Sequence, residues 1–132
     1  STCIFGILAS RIGRHEDAYT YFAQSARMDL DDYHDNFYAG IHAANMAGTW
    51  QSIVFGFAGL RLVNGVPEFK FYIPEAWNGY HFTVKIKESV LAVDVLPDGW
   101  TITLQSGDSV NFLVDGKPYE LTEKGATCHE AL

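Results

Sequence analysis

The sequence predicts an α+β chain, a helical first part followed by a small antiparallel β-sandwich. Three observations carry this. Apolar residues recur at three and four residues before Leu60 and at two residues after it. An Ala-rich composition gives way there to Val, Thr, Phe and Tyr. Turn signals then punctuate the chain at Asn64-Gly65, Asn78-Gly79, Pro97-Asp98-Gly99, Ser106-Gly107-Asp108 and Asp115-Gly116.

Ile4, Phe5, Leu8 and Ile12 fall on one helical face, with Arg11 in the last turn and Gly13 as the C-cap candidate. A second helix is predicted from Glu16 to Asp29. Ala18, Tyr19, Phe22 and Ala26 line one side, and Glu16 and Asp17 sit at its positive end. The short link Gly13-Arg14-His15 makes the two an antiparallel hairpin. Asp29-Leu30-Asp31-Asp32-Tyr33-His34-Asp35-Asn36 is acidic and turn-prone, and reads as a loop. A third helix begins between Gly40 and Asn45 and runs to about Phe57. Its small residues, Gly40, Ala43, Ala44, Ala47 and Gly48, permit close backbone approach. Three helices with so many small and apolar positions call for more neighbours than this sequence supplies.

From Leu60 the predicted strands carry Leu60 to Val63, then Phe69, Phe71 and Ile73, then Phe82, Val84 and Ile86. Leu91, Val93 and Val95 follow, then Trp100, Ile102 and Leu104, then Val110, Phe112 and Val114, and lastly Tyr119 and Leu121. Six or seven short strands with one apolar face each fit two packed sheets.

Composition bounds the function. The chain has 132 residues, 48% of them hydrophobic, which supports a packed core and excludes wholesale disorder. Its net charge of -7 argues against nucleic-acid binding through a basic surface. No run of 18 apolar residues is present, so no membrane span is expected; the longest apolar stretch, Ile53 to Val63, is broken by Gly56, Gly59 and Arg61. No secretory signal pattern opens the sequence. Cys3 and Cys128 lie at opposite ends, without metal or redox spacing, and are expected to be reduced thiols in a cytoplasmic protein.

The chemically informative segment is Asp29 to Trp50, where Asp29, Asp31, Asp32, Asp35, His34 and His42 gather around a loop and a helix start. Backbone N–H groups at a Gly-containing helix start favour anions, and a histidine there can add a donor. The same residues also suit a solvated capping loop with a satisfied histidine. Asp31/Asp35 or Asp32/Asp35 could form a carboxylate pair for glycoside chemistry, although no spacing requires it. The five histidines are scattered, so no metal is expected. Ser1 and Ser52 lack a nucleophile-elbow context, and Gly56, Gly59 and Gly65 form no phosphate loop. Trp77, Tyr80 and Trp100 could make a sugar-stacking platform or simply fill the sandwich core.

Ala26-Arg27-Met28-Asp29-Leu30-Asp31-Asp32-Tyr33, Gly40-Ile41-His42-Ala43-Ala44-Asn45-Met46-Ala47-Gly48-Thr49-Trp50 and Gly56-Phe57-Ala58-Gly59-Leu60-Arg61 together resemble the C-terminal part of glycoside hydrolase family 65. Phe71-Tyr72-Ile73-Pro74-Glu75-Ala76-Trp77-Asn78-Gly79-Tyr80 is similar to the family's Leu-Pro-x-x-Trp-x-Gly-Tyr segment. Ser1-Thr2-Cys3-Ile4 is similar to its Ser-Pro-Cys-Ile helix start. The resemblance runs from Ser1 to about Val95, and its specific part is the Gly-Ile-His-x-x-x-Met-Ala-Gly-Thr-Trp stretch.

This resemblance implies that 1–59 are the last helices of an (α/α)6 catalytic barrel and that 60–132 are the C-terminal β-sandwich. It implies an inverting phosphorylase of α-glucosidic disaccharides such as maltose, trehalose, kojibiose or nigerose, with inorganic phosphate as co-substrate and no cofactor. The general-acid glutamate and the Ser-rich half of the phosphate site would lie before Ser1. By resemblance His42, with Gly40 and Ile41, binds phosphate, and the Met46–Thr49 turn helps shape the loop. Many members carry an acidic residue just before the Gly-Ile/Leu-His; Tyr38-Ala39 stand there in this sequence. Tyr38 is therefore a candidate contact to the acceptor sugar. A homodimer is implied for the full-length enzyme, and neither nucleic acid nor membrane is expected as a partner. The alternatives are a same-family hydrolase and a non-catalytic sugar-binding or structural sandwich.

Overall fold

Helices occupy the first of the two units into which the computed structural model divides, Ser1–Gly59, and strands occupy the second, Leu60–Leu132. The structure describes residues 1–32 and 35–132; Tyr33 and His34 of the predicted acidic loop lie outside the described residues.

In the first unit, α1 spans Thr2–Arg11 and α2 spans His15–Arg27. The Ile12 N–H donates to the Leu8 carbonyl and the Arg14 N–H to the Ala9 carbonyl, closing α1 and turning the chain into α2. The predicted end of the second helix, Asp29, lies two residues too far. The Leu30 and Asp31 N–H groups both donate to the Arg27 carbonyl, which tightens the last turn and ends the helix there. A short 3-10 turn, Phe37–Ala39, precedes α3, Ala43–Gln51. The predicted third helix does not run unbroken to Phe57. Ser52–Phe57 form a π-helical turn, in which the Ala58 N–H reaches back five residues to the Ile53 carbonyl at 2.8 Å.

Small side chains set the helix contacts. Cys3, Gly6 and Ala9 of α1 are buried, as are Ala18 of α2 and Gly48 of α3. A Cβ on Gly48 would stand 2.6 Å from the Cys3 sulfur and 2.8 Å from its Cβ, so α1 and α3 meet at a point with no room for a methyl. Phe22 then packs edge-on against Phe57 at 5.3 Å. The apolar face formed by Ile4, Phe5, Leu8 and Ile12 exists but does not face this core; these residues are between 48% and 71% exposed. Ile7, on the other side of α1, is the large residue that goes inside.

The second unit has eight strands: β1 (Arg61–Val63), β2 (Val66–Phe69), β3 (Tyr80–Ile86), β4 (Ser89–Leu96), β5 (Gly99–Ser106), β6 (Val110–Val114), β7 (Lys117–Leu121) and β8 (Thr127–Glu130). One sheet has the order β1-β2-β6-β7 and the other β3-β4-β5-β8. All pairings are antiparallel except β2 with β6. The alternation is kept where it was clearest. Trp100, Ile102 and Leu104 of β5 are buried while Thr101 and Thr103 are not. Phe112 of the first sheet stands edge-on to Trp100 of the second at 6.3 Å, and Tyr119 meets Trp100 at 5.1 Å.

Two strand predictions shift. Phe71 and Ile73 lie outside the ladder, because Phe71 reaches the core by stacking on Phe69 at 5.3 Å rather than by strand pairing. β8 carries no apolar alternation, and its place comes from backbone pairing with β5 between Trp100↔Glu130 and Thr103↔Thr127. Near the start of β3, the Tyr80 hydroxyl is buried without a hydrogen-bond partner among the described residues. Burial, with Tyr72 adding to it, pushes that phenol's pKa far above its ordinary value.

Two stability tests follow from these contacts. Gly48→Ala adds a methyl against Cys3, at about 1–3 kcal/mol for overpacking, and recovers at most about 1 kcal/mol of helix propensity. A lower urea midpoint is therefore expected, and an unchanged or higher one would contradict the packing. Tyr80→Phe removes an unsatisfied polar group and should leave the melting temperature unchanged or raised. A clear drop would mean that the hydroxyl has a partner.

Candidate functional site

The site is built where α2 ends and α3 begins. Ser25, in the last turn of α2, is buried, and its hydroxyl donates to Asn45 Oδ1 at 2.9 Å. The Asn45 side-chain amide donates back to the Ser25 carbonyl, and Thr49 Oγ1 donates to the Asn45 carbonyl at 2.9 Å. One turn beyond Ser25, Asp29 uses both carboxylate oxygens on His42. Oδ2 accepts the His42 backbone N–H at 3.1 Å, and Oδ1 lies 2.5 Å from Nδ1. His42 is the N-cap residue of α3, so this carboxylate fixes both the helix start and the ring.

The protonation state follows from the contact. The hydrogen bond from the His42 ring, aided by the bond from its backbone N–H, holds Asp29 below the ordinary carboxyl value of 3.8, against the opposing cost of burial. Asp29 is then ionised near neutral pH and can only accept. The hydrogen of the contact therefore resides on Nδ1, and Nε2 is the ring nitrogen left for a ligand. The side chains of Asp29 and His42 keep 30% and 31% of their exposure, so the pair is shielded but reachable. A hollow of about 310 Å³ lies beside it, lined by Ser1, Met28, His42, Ala43, Ala44 and Asn45. That is room enough for a small anion.

Of the four predicted site residues, the structure brings His42 alone to the lining of this hollow. Gly40 precedes it with φ +82°, a conformation that glycine adopts without steric cost, and nothing within 4 Å would block a Cβ. It turns the chain from Phe37–Ala39 toward α3. Ile41 is 75% exposed and Tyr38 90% exposed. The expected Met46–Thr49 turn is not a turn, because these residues lie inside α3, and the Thr49 hydroxyl reaches Ser25 of α2 at 3.4 Å.

The acidic loop is largely committed to structure. Arg27 donates to Asp31 through Nε and a terminal nitrogen, both at 2.6 Å, and holds that carboxyl below its ordinary range. Asp32 accepts the Phe37 N–H at 2.8 Å. Neither carboxylate pair, Asp31/Asp35 or Asp32/Asp35, thus has both members free. Ser52 is buried and donates to the Gly48 carbonyl. In the sandwich, Trp100 is 3% exposed, and the Trp77 and Tyr80 rings stand 63° apart, so the three form no flat sugar platform. Among the described residues, no three His, Cys, Asp or Glu side chains gather as metal ligands.

The partners that sequence reading missed are Ser25 and the specific pairing of Asp29 with His42. A signal was present. Ser25 and Asp29 are four apart, and His42, Asn45 and Thr49 are spaced three and four apart, which marks one polar face on each of two neighbouring segments.

Residues 1–51 match the glycosyl hydrolase family 65 central catalytic domain, and residues 60–121 match the glycosyl hydrolase family 65, C-terminal domain. This chain belongs to glycosyl hydrolase family 65. Its relatives in that family include an alpha,alpha-trehalose phosphorylase of Thermoanaerobacter brockii, 42% identical over 95% of this chain. Another, the alpha,alpha-trehalose phosphorylase of Geobacillus stearothermophilus, is 39% identical over 93% of it. A solved structure assigned as a kojibiose phosphorylase from the human microbiome superposes with a TM-score of 0.90 at 35% identity, covering 100% of this chain and 18% of that one. The chain spans 16% of the length of either trehalose phosphorylase. In this family 65 chain, as elsewhere, no helix among the described residues is long and apolar enough to cross a membrane.

The Asp29 contact has a pH signature. Its folded pKa is depressed, so the stability it adds is present above the unfolded carboxyl value, near 3.8, and is lost as pH falls through the lower folded value. The stability gap between wild type and Asp29→Ala, followed by thermal melts, should be present at about pH 5 and close in more acidic buffer. A gap that persisted at full strength below the folded value would show that the ionised contact is not its source.

Proposed function

We propose that this chain is the C-terminal part of an inverting phosphorylase of α-glucosidic disaccharides and supplies part of its phosphate site. The supporting observation is the position of His42. Its ring is backed by an ionised carboxylate on one nitrogen and lines a hollow shared with Ser1. By resemblance, the Ser-rich half of the family's phosphate site comes just before Ser1, so the two halves would meet at that hollow. Relatives named as trehalose, kojibiose and maltose phosphorylases agree with a phosphate co-substrate.

The chemistry divides between this chain and residues outside it. By resemblance a general-acid glutamate upstream protonates the glycosidic oxygen. Phosphate attacks C1 from the opposite face, in the place where an inverting hydrolase activates water. Phosphate is already anionic and nucleophilic, so it needs holding and aim more than deprotonation. Donors suit that task, and a free carboxylate would oppose it. Three carboxylates of the neighbouring loop, Asp31, Asp32 and Asp29, are held by Arg27, by the Phe37 N–H and by His42, which leaves Asp35 as the loop acid that a base-activated water would need. The two thiols, both free, suit the cytoplasmic setting that goes with this reading.

In the intact protein that carries this chain, cleavage of α-linked glucose disaccharides should require phosphate and yield β-glucose 1-phosphate. His42→Asn should raise the phosphate KM by on the order of 10- to 100-fold, the worth of one hydrogen bond to a charged group. Residues 1–132 alone should give no turnover, lacking the acid. Release of free glucose without phosphate would make the protein a hydrolase instead.

A further inference from the structure

We infer that Asp29 is a positioning residue for phosphate. It fixes the His42 ring so that Nε2 faces the ligand, and it balances the charge of the doubly protonated ring that an oxyanion requires. The inference rests on the phosphate-site reading above and names the residue that makes His42 competent for it.

The argument begins with ring geometry. A histidine at a helix start can rotate about two side-chain bonds and can present either nitrogen. Here the same carboxylate binds the residue at two points, the backbone N–H at 3.1 Å and Nδ1 at 2.5 Å. Two contacts from one rigid planar group define where the ring lies relative to the first turn of α3. With Nδ1 consumed, only Nε2 remains to meet an anion in the hollow that His42 lines.

Charge comes next. A ring carrying its one proton on Nδ1 would present a bare lone pair at Nε2, which repels an unprotonated phosphate oxygen. Donation from the ring to such an oxygen needs a second proton, on Nε2, supplied by solvent or by a protonated phosphate oxygen. No bond other than that to the proton changes. The resulting imidazolium is a net positive charge in a half-buried place, and the Asp29 carboxylate offsets it. Both Asp29 oxygens are turned to His42, so the carboxylate acts through the ring and does not confront the phosphate. Asp29 also stays ionised near neutral pH, because the bonds it accepts hold its pKa down. Other nearby charges do not compete for the ring, since Arg27 is engaged bidentately with Asp31.

A purely structural Asp29 would serve only to tie the end of α2 to the start of α3. Asn preserves that tie through one oxygen while removing the charge, so Asp29→Asn separates the two roles. In the intact protein, Asp29→Asn should raise the phosphate KM about 10-fold and leave the disaccharide KM unchanged. Asp29→Glu should recover part of the loss. In a His42→Asn background, Asp29→Asn should add nothing further. Selective 15N labelling of histidine in the wild-type protein should show a proton on His42 Nδ1 in every state, and one on Nε2 as well when phosphate is bound.

The outcomes are separable. If His42→Asn leaves the phosphate KM unchanged, the phosphate-site reading itself fails. If His42→Asn raises it and Asp29→Asn does not, that reading stands and the role given to Asp29 is wrong. An equal rise in both KM values for Asp29→Asn would also overturn it, leaving a scaffold residue. Should Asp29→Asn not fold, the wild-type ring spectrum still decides, because an Nδ1 without a proton would refute the inference.

Discussion

A single carboxylate holding a ring nitrogen and a backbone N–H of the same residue is the constraint on which the helical unit's chemistry depends. The stretch from Phe37 to Ile41 has little apolar burial to fix its course, since Phe37, Tyr38 and Ile41 are all exposed. Its path is instead set by polar ties at both ends. Asp32 receives the Phe37 N–H, and Asp29 receives His42. Gly40 accommodates the left-handed turn between them. The seam continues along α3 through Ser25, Asn45 and Thr49, where shielded polar groups pair with one another. Position at this corner is therefore bought with directional bonds, and a substitution there changes geometry before it changes packing.

Much of the fold could be read from periodicity because the relevant patterns are strong. β4 and β5 bury Leu91, Val93, Val95, Trp100, Ile102 and Leu104 at period two, and the β1–β2 and β6–β7 hairpins turn on the expected Asn64-Gly65 and Asp115-Gly116, although β3–β4 turns on Lys87-Glu88. β8 was illegible for a physical reason. Thr127-Cys128-His129-Glu130 is held by main-chain pairing at the margin of a sheet, and main-chain pairing leaves no signature in side-chain type. The π-turn after α3 was illegible too, since Ser52–Phe57 has the same apolar spacing whether each N–H reaches back four residues or five. In the site, His42 was legible through its motif. Its partner was not, because Asp29 lies among four acids of similar appearance and only the folded chain shows which of them faces the ring.

The exposed face of α1 explains a mismatch between propensity and burial. A free helical hairpin would turn Ile4, Phe5, Leu8 and Ile12 inward. In this unit the inward places go to Cys3, Gly6 and Ala9, whose small size lets α1 approach Gly48 and the backbone of α2. Close approach and a large apolar outer face are compatible when a helix has neighbours on two sides. The match of residues 1–51 to a central catalytic domain, in a chain that spans 16% of the length of its trehalose phosphorylase relative, is consistent with such surroundings.

An acidic chain with an anion site poses an apparent contradiction, and local pairing resolves it. The net charge of -7 acts over distances comparable to the Debye length, about 8 Å at physiological ionic strength. Within the site, the nearest charges are what count. Asp31 is neutralised by Arg27. Asp29 is matched by His42 once the ring carries two protons. Counted this way, the segment that looks most negative in the sequence offers an incoming oxyanion few unpaired carboxylates. It offers instead an imidazole whose Nε2 lies outside the Asp29 contact, while the His42, Ala43 and Asn45 N–H groups are spent on Asp29, Ile41 and His42. The same acids that seemed to argue against phosphate are what orient and charge the group proposed to hold it.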